Sequence, residues 1–143
     1  MSSIADSATG RRPPLLRTVV AAQLALIVAF VLVAAVWLGR MAAAEVGPDE
    51  MQTGAYDPKD LVPFGMHGWN PFMWLYGITS LLYLGGLASP LLALYSAALL
   101  ARERHELSRR SRVLLLVGIV GGVAVTVLRF IPAGADMQAW WLD

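Results

Sequence analysis

The chain has 143 residues, of which 57% are hydrophobic and only 15% charged, and its formal net charge is +1. A soluble domain carries about 25% charged residues, so the composition excludes an ordinary soluble domain. Without a basic patch interleaved with aromatic residues, nucleic-acid binding has no support. Since the chain has no cysteine, disulfides, thiolate metal sites and thiol nucleophiles are excluded as well.

Three long apolar runs predict an all-α integral membrane bundle with three transmembrane helices. The first helix is predicted at 18–39, where an uncharged run would cover about 31 Å, the thickness of a hydrocarbon core. The second segment, 71–101, has no charge and would be about 46 Å long, so we expect an interfacial start followed by one crossing. Pro90 should kink this segment. The third helix is predicted at 113–131.

Four segments flank these helices: a cytoplasmic tail at 1–17, an outer loop at 40–70, a basic turn at 102–112 and an interfacial tail at 132–143. The basic turn reads as a solvated connection that sets topology or contacts anionic headgroups.

Local signals mark two helix starts in the loop. Asn70 is a good N-cap, a proline follows it at N1, and Trp69 and Trp74 occupy the positions of a hydrophobic staple. Asp57 begins a second signal of the same kind, with a proline at N1 and Asp60 in the first turn. We therefore expect a short helix in the loop and a sharply defined start for the second transmembrane segment.

Arginine and lysine are distributed unevenly over the short flanks, and this distribution sets the orientation of a membrane protein. The tail at 1–17 and the basic turn carry most of them: Arg11, Arg12, Arg17, Arg102, Arg104, Arg109, Arg110 and Arg112. The loop at 40–70 has two and the tail at 132–143 has none. We expect the N-terminus to be cytoplasmic and the C-terminus to lie outside.

Two further features bear on location. Aromatic residues that anchor at headgroup depth gather at the outer ends of the predicted helices: Trp37, Trp69, Trp74, Tyr76, Trp140 and Trp141. Arginine outnumbers lysine ten to one, a bias typical of a GC-rich bacterial genome. These features favour a multi-pass protein of a bacterial plasma membrane.

The first apolar run could instead be a cleaved signal peptide. Arg11 and Arg12 form a twin-arginine pair, and the alanines at 42–44 offer a cleavage site. The run is about twice the usual signal length, however, so an uncleaved anchor is favoured. Cleavage would leave a two-span hairpin with both ends outside.

In lipid, helices associate through small side chains that let backbones approach closely. Each predicted helix has such residues at four-residue spacing, and these are the helix-packing candidates: Ala21, Ala25 and Ala29, then Gly85, Ser89, Ala93 and Ala97, then Gly118, Gly122 and Thr126. An alanine-rich helix such as the first produces such a row by chance as well. The rows could pack the three helices together or dock them onto another protein, and the sequence does not choose between these.

No ionisable residue lies near the centre of a predicted helix, although a transporter, a proton relay or an intramembrane enzyme normally needs one. Arg129, near the outer end of the third helix, has three interpretations. Its side chain reaches the headgroups, or it pairs with an outer carboxylate such as Asp136 or Asp60, or it binds a substrate.

The candidates for chemistry are few. His67, Asp57 and Asp60 lack a recognised metal-ligand spacing, so no metal, cofactor or catalytic residue is predicted. The candidates for contacts at the outer surface are Asp57, Asp60, His67, Trp69, Trp74, Arg129, Trp140 and Trp141.

Three functions stay open. The leading hypothesis is a non-catalytic accessory or scaffold subunit, embedded in the lipid bilayer, that associates with another membrane protein or with itself. One alternative is an oligomeric transport or channel component with a pore lined by Thr79, Ser80, Ser89 or Ser96. The other is a membrane enzyme that uses the outer loop, with Asp57, Asp60, His67 and Arg129 as its working groups.

Overall fold

A computed structural model describes residues 14–103 and 105–143. The predicted tail up to residue 13, with Arg11 and Arg12, and the predicted cytoplasmic Arg104 lie outside these residues. Within the described ranges the secondary structure is helical and contains no strand. The all-α class is therefore confirmed.

Six α-helices are described within these ranges. They are α1 (Pro14–Ala44), α2 (Pro48–Met51), α3 (Pro71–Gly85), α4 (Ser89–Glu103), α5 (Arg109–Phe130) and α6 (Pro132–Leu142), with 3₁₀ turns at Pro58–Leu61 and Gly86–Ala88. Three helical stretches are long and apolar enough to cross a membrane, Leu15–Ala44, Pro71–Glu103 and Arg109–Phe130. The prediction of three such helices is confirmed.

Helix α1 is longer than the predicted 18–39 because nothing interrupts it before Glu45. Glu45 adopts a left-handed φ of +57°, and the N–H of Val46 donates to the carbonyl of Met41 at 3.2 Å. A left-handed residue followed by this backward hydrogen bond is the Schellman ending of a helix. The chain then turns at once into α2, which the sequence analysis did not predict.

The second apolar segment is interrupted where the sequence indicates. Pro90 has no N–H to donate to the carbonyl of Gly86, four residues earlier. The chain tightens into the 3₁₀ turn Gly86–Ala88, and the N–H of Ser89 donates to that carbonyl instead. The expected break is therefore present, one turn before the proline that causes it.

Helices α1, α3–α4 and α5 bury residues at intervals of three and four. In α3, the 3₁₀ turn and α4 these positions are Thr79, Tyr83, Gly86, Ser89, Ala93 and Ser96. In α5 the buried positions are Leu115, Gly118, Gly122, Val125 and Arg129. In α1 they include Val19, Gln23, Leu26, Phe30, Val33 and Trp37. A mean spacing of 3.5 residues is that of helices packed side by side along a common seam. We call these positions the buried seam.

The buried seam explains why the predicted small-residue rows are buried only in part. A helix advances about 100° per residue, so a strict four-residue row drifts about 40° at each step. Of the predicted rows, Ala29, Ser89, Ala93, Gly118 and Gly122 are buried, Ala25 and Thr126 are half-buried, and Ala21, Gly85 and Ala97 are exposed. A methyl group on Gly122 would lie 3.4 Å from the carbonyl oxygen of Ser89 and 3.5 Å from the Cβ of Ala93. The backbones of α4 and α5 approach closely there.

The largest core cluster lies at one end of the bundle, where α1 ends, α3 begins and α5 ends. We call this end of the bundle the loop end. The opposite end holds the connection between α4 and α5, and we call it the turn end. The cluster comprises Phe30, Val33, Trp37, Met51, Tyr83, Val125, Met137, Trp140 and Trp141. Loop residues and α6 thus complete the core that the three long helices begin.

The segment 132–143, predicted as an interfacial tail, is largely helical. It forms α6, which packs against α1, α2 and α5. Trp140 and Trp141 are buried, as is Trp37, whereas Trp69 and Trp74 are exposed. The predicted aromatic belt therefore divides into a buried set and an exposed set, because folding α6 back over the bundle covers its own tryptophans.

Candidate functional site

The buried seam of α5 places Arg129 inside the bundle. Only 4% of the residue is exposed. Its guanidinium carbon lies 4.1 Å from the centroid of the Tyr83 ring, and its Nη2 donates a hydrogen bond to the carbonyl of Tyr83. The side chain therefore points across to α3 rather than out to the headgroups, which differs from the first of its three predicted roles.

Room for the guanidinium comes from the break in the second segment. A methyl group on Gly86 would lie 3.3 Å from Nη2 of Arg129 and 3.5 Å from its guanidinium carbon. A larger side chain at this position would press on the arginine. The carbonyl of Tyr83 lies in the last turn of α3, just before the 3₁₀ turn. It accepts from a backbone N–H at the helix end, and its second lone pair accepts from Arg129. The helix break thus supplies both the space and the acceptor.

Arg129 has no carboxylate partner among the residues that the structure describes. In the part of the chain that the structure describes, no ion pair joins Arg129 to an acidic side chain, Asp136 and Asp60 included. Its Nε is buried and has no hydrogen-bond partner there. Its Nη1 lies 3.5 Å from Oε1 of Gln138, which is long for a hydrogen bond. A buried cation with so few acceptors is costly unless something else compensates it.

A cavity of about 350 Å³ adjoins this arginine. Arg129 and Gln138 supply its polar lining, and the apolar lining comes from Leu87, Phe130, Leu142 and two alanines of α6. Leu87 and Phe130 are themselves exposed, so the apolar side of the cavity borders the surface of the bundle. We call this space with its two polar side chains the arginine cavity.

Hydrogen bonds fix α6, which forms one wall of the arginine cavity. The indole N–H of Trp141 donates to Oγ of Ser80 at 3.0 Å, and the hydroxyl of Tyr76 donates to the carbonyl of Trp141 at 3.0 Å. The indole N–H of Trp140 donates to the carbonyl of Tyr56 at 2.6 Å. Lys59 Nζ donates to the main-chain oxygen of Asp143 at 2.7 Å. Trp140 and Trp141 therefore hold α6 against the loop and α3 through hydrogen bonds.

A second polar group lies within the bundle, at Gln23. This side chain is 3% exposed, and its Nε2 donates to the carbonyl of Leu92 at 3.3 Å. A methyl group on Gly118 would overlap its amide, so the glycine of α5 makes the space that the glutamine fills. Gln23 therefore joins α1, α4 and α5 at one point of the buried seam.

An exposed aromatic surface covers the start of α3. It consists of Phe64, Trp69, Phe72 and Trp74, whose exposed fractions are 88%, 94%, 42% and 56%. Ring centroids lie 6.3 Å apart for Phe64 and Phe72 and 6.5 Å apart for Trp69 and Trp74. The contact between Trp69 and Trp74 confirms the predicted staple. We call these four residues the aromatic surface.

Asn70 organises the segment that carries the aromatic surface. Its Oδ1 accepts from the N–H of Phe72 at 3.0 Å, which confirms the predicted N-cap. Its Nδ2 donates to the carbonyls of Pro63 and Gly65 at 2.6 and 2.7 Å. Phe64 holds a left-handed φ of +65°, a conformation that bulky residues rarely adopt. One buried amide thus fixes both the helix start and the loop before it.

Among the described residues, neither an ion pair nor a hydrogen bond joins Asp57, Asp60 or His67 to Arg129. Asp57 caps the 3₁₀ turn Pro58–Leu61, accepting from the N–H of Lys59 at 2.8 Å, and it lies 3.7 Å from the Nζ of the same lysine. Asp60 and His67 are exposed. Within the described residues no group of three or more His, Asp or Glu side chains could hold a metal. Of the four residues of the enzyme hypothesis, Asp57 contacts Lys59, and Arg129 contacts Tyr83.

Three residues of the site were missed by the sequence analysis: Tyr83, Gly86 and Gln138. The glycine pair at 85–86 ahead of a proline marks a weak point in a helix, and that signal was available. The contact between Tyr83 and Arg129 joins residues 46 positions apart, and no local pattern indicates it. Comparisons with protein-family models, with curated proteins and with solved structures find no match for this chain.

Proposed function

We propose that this chain is a small, non-catalytic membrane protein that works by association, as an accessory or scaffold subunit. In this proposal it is embedded in a bacterial plasma membrane, with its N-terminus in the cytoplasm and its loop end outside. The orientation rests on the arginines of the turn end, among them Arg102, Arg109 and Arg110, because cytoplasmic flanks are rich in such residues.

The observation that carries the proposal is the aromatic surface. Large aromatic side chains at 94% and 88% exposure, Trp69 and Phe64, are held in place by the three hydrogen bonds of Asn70. Left-handed backbone at Phe64 is a strained conformation, and such strain persists where the surroundings enforce it. Rigid aromatic anchors of this kind carry much of the binding energy at protein interfaces.

The uncovered surface of the helices is consistent with association in the plane of the membrane. The most hydrophobic windows of the three spanning stretches are 39%, 22% and 28% buried within the chain. The stretch formed by α3 and α4 is the least covered, and its exposed small residues, among them Gly85, Ala97 and Ala101, allow another helix to approach.

The burial pattern weighs against the transport alternative. Of the four hydroxyl residues proposed to line a pore between copies, Thr79, Ser89 and Ser96 are buried inside a single chain. The fourth, Ser80, accepts a hydrogen bond from Trp141. Lining a pore between copies would require these groups to leave the buried seam.

Photocrosslinking in native membranes tests the proposal. A photoreactive phenylalanine analogue is placed at position 69, on the aromatic surface, and in a matched control at position 120, where Val120 is 67% exposed on α5. We expect a single protein adduct of defined mass from position 69, lost when Phe64 and Trp74 are both changed to Ala, and lipid adducts from position 120.

Two differently tagged copies of the chain then distinguish self-association from binding to another protein. An adduct carrying both tags identifies a second copy as the partner, and an adduct carrying one tag identifies a different protein. If both positions give only lipid adducts, and the untreated protein migrates as a monomer from native membranes, the association proposal is wrong.

A further inference from the structure

We infer that the arginine cavity binds a phosphate group, with the phosphodiester of an anionic phospholipid as its source. The inference goes beyond the association proposal and does not depend on it. It rests on three observations: a buried cation without a carboxylate partner among the described residues, a second polar side chain on the same cavity wall, and an apolar lining that borders the surface of the bundle.

The first observation concerns charge. Arg129 is 4% exposed, and within the described residues it has no acidic partner. Its interactions there are the ring and carbonyl of Tyr83 and the distant amide oxygen of Gln138. A buried cation normally has an anion beside it, and an ionisable residue inside a membrane protein marks a functional site by default. The missing anion is therefore expected to come from a ligand.

The second observation concerns geometry. Guanidinium groups bind phosphate oxygens through a fork of N–H donors. Nη1 of Arg129 and Oε1 of Gln138 stand 3.5 Å apart, and both residues line the cavity. An oxyanion placed between them would accept from the guanidinium and, after rotation of the glutamine amide, from its NH₂ group. The guanidinium of Arg129 and the amide of Gln138 thus offer two donors to one anion. Because their own contact is long, little is lost when the anion binds.

The third observation selects the source of the phosphate. A volume of about 350 Å³ exceeds what inorganic phosphate needs, and the rest of the lining is apolar. Leu87 and Phe130 on that lining are 57% and 79% exposed, as expected of residues that face lipid chains. A phospholipid would place its phosphate at Arg129 and its glycerol and first methylene groups against these two residues.

Native mass spectrometry of the delipidated protein in a non-ionic detergent tests the site. Phosphatidylglycerol is titrated against diacylglycerol of the same chain length, which lacks the phosphate, and inorganic phosphate is added in a separate arm. We expect one saturable phosphatidylglycerol site with at least a tenfold preference over diacylglycerol. Competition by millimolar inorganic phosphate would show that phosphate alone is recognised, and its failure to compete would show that the lipid is required.

Three variants give the test its specificity. Arg129→Gln removes the charge and Ala139→Phe fills the cavity from α6 without altering the arginine, and each should lower the affinity at least tenfold. Ala98→Phe, an exposed alanine of α4 away from the cavity, is the matched control and should bind as the wild type does. If Arg129→Gln fails to fold, Ala139→Phe still decides. Equal binding of the two lipids, or unchanged binding by Ala139→Phe, would overturn the inference.

Discussion

Arg129 and Tyr83 contact each other twice: the guanidinium donates to the carbonyl of Tyr83 and lies 4.1 Å from the centroid of its ring. The first contact uses the backbone at the end of α3, and the second uses the side chain. Together they join the last turn of α5 to the interrupted second segment. Because α6 begins directly after α5, this pair also fixes where the C-terminal helix starts.

The two contacts between Arg129 and Tyr83 can be measured separately. Tyr83→Leu removes the ring and keeps the carbonyl, and Arg129→Gln removes the cation, so a double-mutant cycle of these two changes isolates the interaction of guanidinium and ring. We expect a coupling free energy of about 1 kcal/mol, typical of a partly desolvated cation–π pair. Reversible unfolding of the purified protein in detergent measures it, and strictly additive effects of the two changes would contradict the pairing.

Gly118 is expected to be intolerant of a methyl group. In Gly118→Ala the new Cβ overlaps the amide of Gln23, and we expect the free energy of unfolding to fall by about 1–3 kcal/mol. Adding Gln23→Ala removes the amide, so the double variant should be less destabilised than the sum of the single variants.

Gly39→Ala is the matched control for Gly118→Ala, because a methyl group on Gly39 meets nothing within 4 Å. This change should be neutral or stabilise the helix by up to about 1 kcal/mol. If Gly118→Ala and Gly39→Ala change the free energy of unfolding equally, the close packing of α1 on α5 is not as described. The same conclusion follows if adding Gln23→Ala does not reduce the destabilisation by Gly118→Ala.

Gly134 should be essential for the position of α6. A methyl group there would overlap the carbonyl of Leu128, which is backbone and cannot rotate away. We expect Gly134→Ala to displace α6, to expose Trp140 and Trp141, and to shift the tryptophan emission of the purified protein to longer wavelength. An unchanged emission spectrum, together with unchanged protease resistance of α6, would contradict the docked helix.

Two substitutions of Asn70 separate its role as the cap of α3 from its hydrogen bonds to the loop. Asn70→Asp keeps an acceptor for the N–H of Phe72 but loses both donors to the carbonyls of Pro63 and Gly65, whereas Asn70→Ala loses all three bonds. Hydrogen exchange should speed up across 63–69 in both variants and at Phe72 only in Asn70→Ala. Loss of the cap should cost about 1 kcal/mol.

In Asn70→Asp, unchanged exchange across 63–69 would mean that the amide does not hold the aromatic surface. Faster exchange at Phe72 in the same variant would mean that the aspartate fails as a cap. Either result would remove the structural basis for a rigid aromatic surface.

Local features were predictable from the sequence. The caps at Asn70 and Asp57 and the break before Pro90 depend on residues within a few positions of each other, and the structure contains all three. The presence of three helices long and apolar enough to cross a membrane follows from the apolar runs of the sequence, although α1 is longer than its uncharged run.

The packing partners were not predictable in the same way. A four-residue row and a 3.5-residue seam differ little over two turns, so Ala21 and Ala97 were grouped with residues that turn out to be buried. The burial of Trp140 and Trp141 depends on α6 folding back over the bundle, and the position of Arg129 depends on Tyr83, which is far away in sequence. Contacts of this kind arise from the whole fold.

The proposed function depends most directly on which end of the bundle faces which side of the membrane. The chain has no cysteine, so single cysteines can be introduced at exposed positions of the two ends, with His67→Cys at the loop end and His105→Cys at the turn end. Intact cells are treated with a membrane-impermeant maleimide. We expect labelling of the His67→Cys protein at once and of the His105→Cys protein only after permeabilisation. The opposite pattern, or equal labelling of both in intact cells, would contradict the proposed topology.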